Sequence, residues 1–189
     1  MITEILSEDE SKKRGALITH FISIAKQCRQ FCSFNAAYLI VSALSHPSIS
    51  RLKKSWKKVS NKNETTFAKL ASEFDDKNDF KKFEQMTAVI EEQAAVPLLE
   101  HCLKKVELIE NNNESKRTEK DINWSKMAAL SQILIRLKKW QLLSYSFTIV
   151  NSLFCYISKA LNEDYEESKL MELSISCEKE SKKGFIKKK

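Results

Sequence analysis

An all-α fold follows from three features of the chain. Its 189 residues include only two glycines and two prolines. Sheet proteins spend these residues on turns, and phosphate-binding loops spend glycines on close backbone approach. Apolar residues recur every three or four positions over most of the length, the period of a helix with one buried face. Hydrophobic residues make up 42% of the chain, enough to bury a core and to exclude wholesale disorder.

The elements follow in order. Residues 2–32 form a first helical segment. Ser7 followed by Glu8, Asp9 and Glu10 resembles a helix start, a capping hydroxyl with acids in the first turn. Leu17, Ile18, Phe21, Ile22, Ala25 and Cys28 then repeat at helical spacing. Ser33 to Asn35 interrupts the pattern. Residues 36–44 are apolar nearly all round, which predicts a buried helix. Pro47 makes 45–48 a turn. Residues 49–59 form a short helix with Leu52 and Trp56 on one face and lysines elsewhere. A polar loop at 60–65 leads to the stripe Phe67, Leu70, Ala71 and Phe74. After a loop at 75–78, Phe80, Phe83, Met86, Val89 and Ile90 continue at helical spacing.

Pro97 fits the first turn of the next helix, where its missing N–H costs nothing. That helix runs to about residue 109, with Leu99, Leu103 and Val106 on one face and Cys102 beside them. Residues 110–121 contain no apolar side chain and read as a solvated loop. Residues 122–141 form a strong helix, with Met127, Leu130, Ile133, Leu134, Leu137 and Trp140 repeating every three to four residues. Two helices joined by such a loop pack as an antiparallel hairpin. Residues 142–161 are read as a further core helix and 163–177 as a short amphipathic one. A single domain over 1–178 and a frayed basic tail over 179–189 complete the expectation.

Charge and cysteine usage narrow the function classes. The net charge is +7, much of it from Lys182, Lys183, Lys187, Lys188 and Lys189. The body is only mildly basic, so nucleic acid is not the expected partner. Lysines between 51 and 58 interleave with Trp56, but Trp56 shares a face with Leu52 and belongs to the core. The five cysteines, at 28, 32, 102, 155 and 177, read as reduced thiols rather than a disulfide framework. No metal ligand set is expected: Cys28 and Cys32 would need two more ligands, and His20 and His101 stand alone. The N-terminus has no apolar signal segment, and no apolar run is long enough to span a bilayer. Neighbouring acids such as Asp75-Asp76 and Glu91-Glu92 do not face each other on a helix and make poor acid–base pairs. No covalent chemistry, cofactor or enzyme active site is expected. A cytoplasmic setting follows, with the lysine tail in weak contact with an anionic membrane.

A series of local motifs points to a family. His20 to Arg29 (HFISIAKQCR) resembles the "FI-x-IA-x-x-CR" helix of the catalytic domain of Ras-type guanine-nucleotide exchange factors. Phe34-Asn35 resembles the "NFN" turn that follows. Ile40 to Leu44 and Ile49 to Trp56 are similar to "I-x-SAL-x-x-x-x-I-x-RLKKTW". Asn78 to Phe83 resembles "NFKKYR", Val96 to Leu99 with Leu103 part of "IPYLG-x-YL", Ile122 to Lys126 "INFSK", and Leu170 to Ser174 the closing "LYELSL". The blocks are colinear over about residues 3–178.

This resemblance implies a helical bowl with a protruding antiparallel helical hairpin, and a Ras-like small GTPase as partner. The hairpin would open the nucleotide site by displacing switch I, while the body grips switch II. Carried over position by position, the hairpin helices are 97–109 and 122–141. The wedge face holds Lys104, Glu107, Leu108 and Asn111. Acidic disturbance of the phosphate site rests on Glu107 or Glu110. GTPase contacts fall on Tyr38, Ser45, Ser50, Phe80 and Leu98, with Trp124 packing the hairpin base.

The sequence departs from the family pattern at several positions. Glu100 replaces a glycine, Cys102 a tyrosine, Leu98 an aromatic and Ser45 an asparagine. Glu110-Asn111-Asn112 replaces an acid-acid-glycine run. The family's first helices and its upstream stabilising module have no counterpart here. A second reading therefore stands beside exchange: an exchange-factor fold that binds a GTPase, or another protein, without releasing nucleotide. A third is a basic helical adaptor whose lysine tail touches membrane.

Overall fold

The computed structural model describes residues 1–90, 93–114, 121–161 and 166–178. The lysine tail, the Glu91-Glu92 pair, the middle of the 110–121 connection and residues 162–165 lie outside the described residues. The chain is all-α: among the described residues there is no β-strand. The helices are α1 (Ile2–Leu6), α2 (Ser11–Gln30), α3 (Phe34–Ser45), α4 (Pro47–Ser50), α5 (Lys53–Trp56), α6 (Asn61–Glu73), α7 (Lys81–Thr87), α8 (Leu99–Asn112), α9 (Trp124–Gln141), α10 (Asn151–Leu161) and α11 (Glu167–Cys177). They build two compact units, one of residues 1–21, 42–64 and 148–189, the other of residues 22–41 and 65–147.

The first unit is organised by a buried arginine. Arg14 is 2% exposed. Its Nη1 donates to the carbonyls of Glu8 and Asp9, each at 2.7 Å, and its Nε to Ser55 Oγ at 2.9 Å. Holding those carbonyls explains why the first segment breaks. Ser7 closes α1 instead of opening a helix, and α2 begins at Ser11. The Glu178 carboxylate lies 3.7 Å from Arg14 Nη2 and accepts from the N–H groups of Lys54 and Ser55 and from the Ser55 hydroxyl, each at 2.9 Å. The end of α11 is thereby tied to α5 and to the start of α2. The serine-rich helix α11 also fits closely against α4. Ser174 Oγ donates to the Ser48 carbonyl at 2.5 Å, and Arg51 Nη1 donates to the Ser174 carbonyl at 2.8 Å. Gly15 sits where only hydrogen fits: a Cβ there would come within 2.7 Å of Lys58 Cβ and 2.9 Å of the Ser55 carbonyl oxygen.

Residues 49–59 form two single-turn helices, not one. His46 Nδ1 caps α4 by accepting from the Ser48 N–H at 3.3 Å, with Pro47 at the first helical position. Trp56 donates its ring N–H back to the Ile49 carbonyl at 3.1 Å, and Leu52 between them is fully buried. The expected core helix over 142–161 is also corrected. Helix begins only at Asn151, and Leu142, Phe147, Ile149, Val150, Leu153 and Phe154 are exposed. Ser144, Ser146 and Thr148 interrupt the apolar run with residues that favour non-helical backbone.

The second unit is organised by aromatic rings. Phe34, Phe74, Phe80 and Phe83 are buried with Trp140 and Leu98 in one cluster. Phe83 meets Phe34 edge-on at 5.2 Å and His101 at 5.3 Å. Cys32 takes a left-handed φ of 57° to turn the chain between α2 and α3. Val96 locks that turn, donating to the Cys32 carbonyl and accepting from the Phe34 N–H, both at 2.9 Å. Helix α3 is less buried than its composition predicts, since Leu39 is 57% exposed. Helix α8 begins two residues after Pro97 and runs through Asn112, extending into the expected loop because Glu110, Asn111 and Asn112 are compatible with a last polar turn.

Two outcomes follow for stability. Burial works to raise the Glu178 carboxyl, but the N–H groups of Lys54 and Ser55, the Ser55 hydroxyl and the Arg14 charge outweigh it and hold the pKa below the ordinary 4.5. A depressed folded value means this stabilisation is complete above pH 4.5 and is lost as pH falls through the folded value. Glu178→Ala should cost about 3–5 kcal/mol at pH 7 by stranding Arg14, and the loss should shrink in urea titrations below pH 4. Gly15→Ala should lower the thermal midpoint. The helix-propensity gain of about 1 kcal/mol is outweighed by an overpacking cost of about 1–3 kcal/mol where the Ser55 backbone cannot yield.

Candidate functional site

Helices α8 and α9 pair antiparallel within the second unit. At the open end, Lys126 near the start of α9 reaches the end of α8. Its Nζ donates to Glu110 Oε2 at 2.6 Å and to the Asn113 carbonyl at 2.9 Å. The lysine is only 2% exposed. Asn123 caps α9 by accepting from the Lys126 N–H at 3.2 Å and donates to the Glu114 carbonyl at 2.9 Å. At the closed end the rings of Phe80 and Phe83 flank His101 with centroids 5.5 and 5.3 Å away, and Arg136 lies over the Trp140 ring at 5.0 Å.

Glu84 of α7 fastens the foot of α8. Its carboxylate accepts from His101 Nε2 at 3.0 Å and pairs with Lys105. Burial would raise the Glu84 carboxyl; the hydrogen bonds and charges of Lys105 and His101 outweigh it and hold the pKa down. Burial, with the nearby charges of Lys105 and Arg136, lowers the His101 pKa despite Glu84. His101 is therefore neutral at pH 7 and accepts its place among aromatic rings without an unmatched charge.

The four expected wedge residues share one helix face. Lys104, Glu107, Leu108 and Asn111 recur at i, i+3, i+4 and i+7 and are all exposed. Lys104 lies over the Phe80 ring at 5.2 Å and pairs with Glu100 at 3.6 Å. Glu110 is turned from that face toward α9, where Lys126 holds it.

The expected GTPase contacts fare differently. Tyr38 is half-buried, its ring between Phe74 and Phe80 with both centroids at 6.1 Å. Ser45 and Ser50 are exposed at the ends of α3 and α4, in the first unit. Phe80 and Leu98 are 1% and 0% exposed. Both side chains belong to the buried cluster and neither lies on the outer surface, while Leu98 also lines the space between α8 and α9. The placement of Trp124 is corrected: at the open end of the hairpin it is 73% exposed, and Trp140 packs the base instead. The aromatic at the start of α9 follows a capping asparagine, so its side chain projects outward while the periodic stripe ending at Trp140 turns inward.

Sequence reasoning passed over Lys126, Glu84 and His101. The Asn123-x-x-Lys126 spacing could have located the first. Nothing local announces that Glu84 meets His101, 17 residues on.

Lys126→Met keeps the apolar stem but removes both donors to Glu110 and Asn113. The expected cost is about 1.5–3 kcal/mol, toward the lower end because Glu110 is half exposed. Hydrogen exchange should quicken over residues 108–114 while Trp140 at the base stays protected.

The family described as RasGEF domain matches residues 1–128. The chain is 28% identical over 177 residues to Ras guanine nucleotide exchange factor M of Dictyostelium discoideum, covering 90% of this chain and 19% of that protein. It is 31% identical over 174 residues to Ras guanine nucleotide exchange factor Y of the same organism, with 90% and 12% covered. It is 30% identical over 131 residues to Rap guanine nucleotide exchange factor 6 of Homo sapiens, with 69% and 8% covered. The chain thus spans about a quarter or less of the length of these relatives. No helix among the described residues is long and apolar enough to cross a membrane. The match over two thirds of its length places this chain in the RasGEF domain family.

Proposed function

We propose that the chain is a guanine-nucleotide exchange factor for a Ras-like small GTPase, with the outer face of α8 as the wedge against switch I. The observation that carries this reading is the exposed stripe Lys104, Glu107, Leu108 and Asn111 on a helix anchored at both ends. Names of the relatives, which mention Ras and Rap, support the partner class.

No covalent step is needed. A wedge that binds nucleotide-free GTPase more tightly than loaded GTPase weakens nucleotide binding by the same factor, because the coupling is reciprocal. An acid at 107 would repel phosphate oxygens and compete for the cations that hold them. Trp124, exposed at the open end, adds apolar contact area of the kind that anchors interfaces. Tyr38, Ser45 and Ser50 would contribute to the switch II contact. The cellular setting that fits is the cytoplasm close to a membrane, with the lysines of 182–189 drawn to anionic lipid.

Because Lys126 holds Glu110, the acidic contribution at the wedge falls mainly to Glu107. This favours a second reading, binding without exchange. Release of fluorescent GDP from Ras, Rap, Ral and Rho-type GTPases separates the two. Exchange predicts faster release from at least one. Glu107→Ala combined with Glu110→Ala should then slow it about tenfold, ~1.4 kcal/mol of barrier, with a smaller effect on capture of nucleotide-free GTPase. Equal capture of GDP-loaded and nucleotide-free forms, with no release, supports the second reading.

A further inference from the structure

The space between α8 and α9 is itself a cavity of about 570 Å³, within the size range of small-molecule sites (about 300–1,000 Å³). Phe83, Leu98 and Trp140 close its floor. Cys102, Ile133 and Leu137 also line it, with the small side chains of Ala128 and Ala129. Its polar lining is His101, Lys105, Gln132 and Arg136, of which Lys105 and Arg136 carry charge.

The charges around this wall do not cancel. Glu84 is paired with Lys105 and hydrogen-bonded to His101. Arg136 rests on the Trp140 ring, and among the described residues no carboxylate pairs with it. With His101 neutral, one acid faces two permanent cations, leaving a single uncompensated positive charge on the wall of an apolar cavity. A neutral apolar ligand would leave the guanidinium partly desolvated with nothing to accept its donors. A dianionic phosphate would bring one charge too many. A carboxylate matches both the charge and the planar fork of arginine.

We propose that the α8–α9 cavity binds a medium- to long-chain aliphatic carboxylate, its acyl chain along Leu98, Ile133 and Leu137 and its headgroup on Arg136. The flexible chain suits a cavity walled by two helices and one ring cluster, and each methylene removed from water adds to affinity. The cavity shares Leu108 with the exposed stripe, while Lys104, Glu107 and Asn111 lie outside its lining, and its occupancy is measured without any GTPase.

Titration calorimetry of the full chain with sodium decanoate, decanamide and dodecyl phosphate, each below its aggregation threshold, tests the assignment. Decanoate should bind saturably with one site per chain. Decanamide, of equal length without the charge, should bind at least about tenfold more weakly, as should decanoate to Arg136→Gln. Ala129→Phe, which fills the cavity, should abolish binding while leaving the thermal midpoint within a few degrees. The proposal is overturned if decanoate shows no saturable binding, if decanamide binds equally well, if dodecyl phosphate binds more tightly, or if a folded Ala129→Phe chain still binds. Should both variants fail to fold, the three ligands on the unaltered chain still decide it.

Discussion

Phe83 is the residue on which the second unit turns. Its ring meets Phe34, Phe74 and His101 with centroids 5.2, 6.0 and 5.3 Å away. Those three residues come from α3, the end of α6 and α8, so one side chain joins elements far apart in sequence. Trp140 closes the same cluster from α9. Aromatic rings bury much area with few rotatable bonds, which makes such a cluster a stiff foundation. The foot of the hairpin is fixed there, and the polar face of α8 can stay exposed without the helix having to bury it for stability.

The first unit solves a similar problem with polar groups. Arg14, Ser55 and Glu178 bring the start of α2, α5 and the end of α11 together through directed polar contacts rather than through apolar area. Buried charges are costly, and they persist here because each has several partners at good distances. Such a network demands one register. Sliding α11 by a residue would break the contacts of Glu178 and of Ser174 at once. Apolar contacts tolerate small shifts; these do not.

The hairpin combines both strategies. Its base is aromatic and dry, its open end is held by a buried lysine, and between them lies an incompletely filled apolar space. A helix pair clamped at two ends and loosely packed in the middle can transmit force along α8 while keeping its outer face in one orientation. The wedge proposed above would need this, since a side chain that yields on contact cannot displace a partner's loop. Lys126 and Glu84 hold α8 at its two ends without belonging to the exposed stripe.

The sequence by itself determined the helical class and most of the elements, because a 3.6-residue repeat makes them visible, and the polar connection between two such helices determined the pairing of α8 with α9. It also carried the family's motif order. Tertiary structure alone decided that Phe80 and Leu98 are core, that Trp124 points to solvent and Trp140 to the base, and that Glu110 turns to Lys126. It also broke the expected helices at Glu8–Glu10 and at 142–150, the first through carbonyls captured by Arg14. The reason is common to all of these. Periodicity says which face of a helix is apolar, but which residues on that face meet a neighbour, and which buried charge finds a partner, depends on segments tens to more than a hundred residues away.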